Sequence, residues 1–187
     1  MSTLKVNSII PVAGVPTGGG GGIIQVKNTT FKSRTSVSTT GGSFVHFNGI
    51  DVSITPITSS SKILISGGIV GEGSSQDGQF KWKLQRSIGG ASDADIDCVG
   101  TTTGNRPGVT GSFPAGHSSS DQDSTTTIVS WANILDSPAT TSAITYKFKI
   151  FARDNSANFV FCGTQGDNDN QDYERSVCYM TVMEVSA

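Results

Sequence analysis

Apolar and polar residues alternate one by one along several stretches of this chain, and only a strand turns that pattern into one dry face and one wet face. Ile50, Val52 and Ile54 fall on one side with Asp51, Ser53 and Thr55 on the other, and Pro56 closes the run. Phe80, Trp82 and Leu84 alternate with Lys81, Lys83 and Gln85. Tyr146, Phe148, Ile150 and Ala152 alternate with Lys147, Lys149, Phe151 and Arg153. Shorter runs include Ile24-Val26-Asn28 in alternation, Phe44 to Phe47, Ile63 to Ile65, residues 127–135 and Phe159 to Phe161. Between Ile65 and Ile69 a Gly67-Gly68 pair predicts a bulge or bend. In the final run, residues 177–185, Val177, Tyr179, Thr181, Met183 and Val185 share one side and Cys178, Met180 and Val182 the other. With so little polar relief on either face, that strand belongs in the middle of a sheet or against another chain.

Composition points the same way. Gly, Ser and Thr fill 70 of the 187 positions. Gly is costly inside a helix, Ser and Thr compete there for backbone bonds, and all three suit strands and turns. The expectation is an all-β fold: a single antiparallel β-sandwich, jelly-roll-like, with about eight to ten strands. A loop-rich stretch, residues 87–124, is expected to decorate one end of it.

Residues 1–22 read differently. One short apolar piece (Leu4, Val6, Ile9 and Ile10) precedes Pro11, Pro16 and an unbroken run of glycine at 18–22. Consecutive glycines cannot be ordered without a large entropic cost, so they read as a joint. The predicted organisation is an extended anchoring arm with a glycine joint over residues 1–22 and a β-sandwich domain over 23–187. Leu4, Val6, Ile9 and Ile10 are the expected attachment residues.

Several function classes find no support. Net charge is −2, with Lys and Arg spread thinly, whereas binding nucleic acid takes a concentrated basic face. No apolar run approaches the roughly 20 residues of a membrane-crossing helix, so no membrane partner is expected. The first six residues lack the pattern of a secretory signal, so synthesis in a cytoplasm is expected. Cys98, Cys162 and Cys178 are odd in number and lack paired spacing, and are expected as small buried hydrophobes.

Candidate chemistry is sparse. His46 lies within a strand, as a wall residue. His117 sits in Gly116-His117-Ser118-Ser119-Ser120-Asp121, which holds the triad residue types, but triads are assembled in space and no GxSxG elbow is present. No enzyme and no cofactor are expected. Asp167, Asp169 and Asp172 offer oxygens at spacings like those of calcium loops, yet lack the glycine and glutamate of the EF-hand pattern. Asp93, Asp95 and Asp97 would share one strand face, where like charges need solvent or a cation. These two clusters are calcium candidates, set against the plainer reading of solvated turns and no bound metal.

The opening Met1-Ser2-Thr3-Leu4-Lys5-Val6-Asn7-Ser8-Ile9-Ile10-Pro11 resembles the N-terminal segment of many virion proteins of tailed bacteriophages of marine and freshwater hosts, including cyanophages. Blocks in the body resemble the same group: Gly49 to Pro56, Ser59 to Ile65, Asn133 to Thr141 and Met180 to Val185. The resemblance implies a structural component of the phage particle, made in the host cytoplasm: a tail-fibre or appendage protein attached through its arm. A capsid decoration protein is the alternative. The final run, apolar on both sides, and an exterior rich in Gly, Ser and Thr and poor in charge point to a homo-oligomer, and the resemblance implies that it is a trimer, with other tail or capsid proteins as partners. A receptor-recognition module for host surface glycan is a second alternative, with Trp82 or Trp131 stacking on sugar.

Overall fold

The structure, a computed structural model, describes residues 22–39, 41–74, 80–113, 126–153 and 157–186. Leu4, Val6, Ile9, Ile10, glycines 18–21 and His117 lie outside the described residues.

Two antiparallel sheets face each other. The first holds β1 (Ile23–Phe31), β2 (Thr35–Ser38), β4 (Lys62–Gly73), β8 (Thr127–Asp136), β10 (Asn158–Phe161) and β11 (Cys178–Val185). The second holds β3 (Phe44–Ile54), β5 (Lys81–Ile88), β6 (Ala94–Asp95), β7 (Gly111–Ser112) and β9 (Ile144–Phe151). The lanes of the first sheet run β1, β11, β4, β8, with β10 prolonging the lane of β11 and pairing with β2. The second runs β3, β9, β5, and β6 and β7 both pair with β5 as two stubs. Except between β5 and its stubs, and where β2 and β11 prolong a lane, each step along the chain changes sheet. That is the winding of a jelly roll.

Alternation decides what is buried. Ile50, Val52, Ile54, Phe80, Trp82, Leu84, Tyr146, Phe148 and Ile150 all lie in the core. Phe47 of β3 stacks on Phe161 of β10 with ring centroids 3.7 Å apart, joining the sheets. Trp82 and Trp131 also meet across the sandwich, at 5.0 Å, and are only 5% and 7% exposed. They are core residues, and neither offers a face to a sugar.

Three expectations need correcting or refining. The bend foreseen at Gly67-Gly68 is not in β4, which runs unbroken; the extra residue is on β8, where Asn133 takes a positive φ of 60°. Gly67 is needed for contact instead, because a Cβ there would come within 2.4 Å of the Trp131 ring. The described part of the 87–124 stretch is no end decoration: it runs along β5 as β6 and β7 and sends Ile96 and Phe113 into the core. The final strand is central, flanked by β1 and β4, with Cys178, Met180 and Val182 inward. Its inner face also carries a buried carboxylate, Glu184.

Candidate assembly surface

The outward faces of the two sheets differ in kind. On the second sheet, Lys83, Lys147 and Lys149 project outward and meet the 93–95 segment. Asp93 bonds Lys147 at 2.7 Å and Lys149 at 2.6 Å, and these two cations pull its pKa down to about 2. Asp95 reaches Lys83 at 2.8 Å and Gln85 at 2.6 Å; burial opposes its ionisation, but these partners hold its carboxyl below the ordinary value. Lys83 also lies 4.4 Å from the centre of the Phe44 ring. His46 faces outward and meets Asp51 at 2.8 Å; desolvation raises the Asp51 pKa although the histidine opposes it.

The aspartates named as calcium candidates are seated as follows. Lysines from β5 and β9 compensate Asp93 and Asp95, while Asp97 is exposed. Asp167 pairs with Arg175 and lies 3.7 Å from Arg34, and the Arg175 hydrogen bond holds its carboxyl low. Asp169 lines a cleft of about 300 Å³ beside Asp167, Tyr173 and Arg175, and Asp172 is exposed in the adjoining turn. Among the described residues, no group of three or more His, Cys, Asp or Glu side chains is placed to hold a metal ion.

The first sheet turns a different surface outward. Register aligns Val26, Met183, Leu64 and Leu135 in one row across all its lanes. Asn28, Thr181 and Ser66 form the next row; Thr30, Tyr179, Gly68 and Ser130 the one after, with the Tyr179 ring lying over Gly68. Val70 and Ile128 complete it. No charged residue stands in these rows. Of the large apolar side chains left in solvent, Ile128 at 63%, Val26 and Leu135 at 52% and Tyr179 at 42% all belong to this face. An uncharged, partly apolar face of this kind marks a contact surface more often than a solvated wall.

Among the described residues β8 pairs only with β4, and residues 127–135 contain no charge and no proline. Sheet edges that must stay unpaired usually carry such residues. The extra residue at Asn133 kinks this strand.

Two buried acids hold this surface in shape, and neither was singled out from sequence. Asp136 ends β8 and accepts from Tyr146 Oη at 2.7 Å and from Arg86, tying the first sheet to the second. Glu184 accepts from the Ile57 amide at 2.7 Å and from Gln25, fixing the β3–β4 turn against β11. Burial opposes the Glu184 charge, but bonds from Ser61, Gln25 and the Ile57 and Thr58 amides outweigh it and lower the pKa. The available signal was a single acid inside an apolar run, Ile134-Leu135-Asp136 and Val182-Met183-Glu184-Val185.

No protein-family model matches the sequence, and no curated protein matches it. Among solved structures, the chain is similar to that of infectious bursal disease virus Gt strain, at 13% identity and a TM-score of 0.41 over 86% of this chain and 41% of the other. The Gx strain structure gives 14% identity and 0.37 over 97% and 45% of the two chains. The VP2 subviral particle of the same virus gives 12% and 0.36 over 86% and 40%. The chain thus spans less than half the length of these structures. A likeness this distant carries no functional weight, and the jelly roll stands on the strand pairing.

Proposed function

We propose that this chain is a non-enzymatic structural component of a bacteriophage particle, a tail-fibre or appendage protein that assembles with copies of itself and attaches through residues 1–16. The observation that carries the reading is the contrast between the two outward faces. One is a lattice of ion pairs fit for water; the middle rows of the other carry no charge across four lanes, and among the described residues its outermost strand, β8, pairs only with β4. A second copy is the occupant that this chemistry suits. Symmetric association sets like surfaces near one another, and an uncharged face meets its own copy without like-charge repulsion. Threefold order is what the phage resemblance implies. The sugar-binding alternative loses the indoles on which it rested, since Trp82 and Trp131 are inside.

A density map of the intact particle tests this reading. The expected result is density for the domain on the tail, its first sheet turned toward a neighbouring copy. Density on the capsid shell would transfer the protein to the decoration role, and a purified particle lacking the chain would overturn a virion role. Deleting residues 1–16 is expected to leave the melting temperature nearly unchanged and to abolish incorporation. Truncated protein that still enters particles would move attachment onto the sandwich.

A further inference from the structure

Strands β10 and β11 occupy one lane of the first sheet. Phe161 pairs with Gly71 of β4, and Tyr179 resumes the lane opposite Gly68. The residues between them leave the sheet and return. Cys162 is the last residue before the departure and Cys178 the first on return, so sixteen positions of sequence separate two neighbours in space. Their sulfurs are 3.1 Å apart and both residues are fully buried. The neck is already drawn shut by backbone: the Ser176 amide donates to the Cys162 carbonyl at 3.2 Å, and Gly163 bridges to Arg175. Inside it, the Cys178 thiol lies 3.4 Å from the Val70 carbonyl and the Cys162 thiol 3.2 Å from that of Phe31.

We propose that Cys162 and Cys178 are a disulfide site that locks the base of this excursion. A bonded pair needs about 2.05 Å between sulfurs, so the thiols must close by roughly 1 Å. The oxidant is a low-molecular-weight disulfide. The Cys162 thiolate attacks it and expels one thiolate; Cys178, losing its proton, then attacks the Cys162 sulfur of the mixed disulfide and expels the second. Two protein thiols are oxidised and one small disulfide is reduced to two thiols. The order follows from the hydrogen bond between the pair, which favours the Cys162 thiolate, and from the cost of charging Cys178 beside it in a desolvated site. In a reducing compartment the pair remains as thiols; in an oxidising one it closes. Because both sulfurs are buried, exchange waits on opening of the neck.

Trypsin makes the test direct, because Arg175 lies between the two cysteines and Arg153 precedes them. The folded full-length chain is incubated with oxidised glutathione, alkylated and digested. The expected product is peptide 154–175 joined to peptide 176–187, two hydrogens lighter than the sum and separated by reductant. Cys98, which sits 3.4 Å from the Thr110 hydroxyl in another peptide, remains outside the link. The oxidised chain should melt about 5–10 °C higher, as closing a loop of this length predicts for a domain of this size. Cys162→Ser with Cys178→Ser should show no such rise on oxidation. Recovery of Cys162 and Cys178 as free, as separate glutathione adducts or joined to Cys98 would overturn the proposal.

Discussion

At the scale of single residues, charge is placed by partners distant in sequence. Asp93 is drawn to Lys147 and Lys149, and its pKa near 2 makes it a source of acid-sensitive stability. The carboxyl titrates lower in the folded chain than in the unfolded one, where about 3.9 is usual. Its stabilisation is therefore complete above about pH 4 and is lost as pH falls through about 2. The full shift would be worth about 2.5 kcal/mol, and the partial exposure of the pair reduces the expected effect to about 1 kcal/mol. Asp93→Asn should lower the denaturation free energy by about that amount at pH 7. Urea titrations at pH 7 and pH 2 check it: the gap between wild type and variant should close in acid, and an undiminished gap at pH 2 would contradict the assignment.

At the scale of elements, Gly67 shows how a strand is shaped by its neighbour. The Trp131 ring fills the space a side chain would take, so Gly67→Ala should cost about 1–3 kcal/mol by overpacking. Gly89→Ala, where nothing lies within 4 Å but φ is +59°, reports the backbone cost alone. Chemical denaturation in which Gly67→Ala proved neutral would place the ring elsewhere. The strands themselves were legible because alternation needs only local sequence: Ile50, Val52 and Ile54 or Phe80, Trp82 and Leu84 announce their inner face without reference to anything else. The lanes were not. Nothing local says that Lys149 comes opposite Lys83, that Cys162 and Cys178 meet at one neck, or that Leu135, Leu64, Met183 and Val26 fall in one row. Those facts depend on register between strands far apart in the chain. The same limit hid the lysines that compensate Asp93 and Asp95, and it left Trp82 and Trp131 open to a role at the surface.

At the scale of the molecule, the domain is a sandwich with two unlike sides. On the second sheet the lysines are paired or lie over rings, and the edge at β5 is covered by β6 and β7. The first carries no charge in its middle rows, and among the described residues β8 pairs only with β4. The proposed role depends on this face joining copies of the chain. Sedimentation of the full-length protein at micromolar concentration, beside a Met183→Glu, Leu135→Glu variant of unchanged circular dichroism, tests it directly. The prediction is a defined oligomer, a trimer of the 19.4 kDa chain, that falls to monomer in the variant. A wild-type monomer, or an oligomer that both substitutions leave intact, would contradict it.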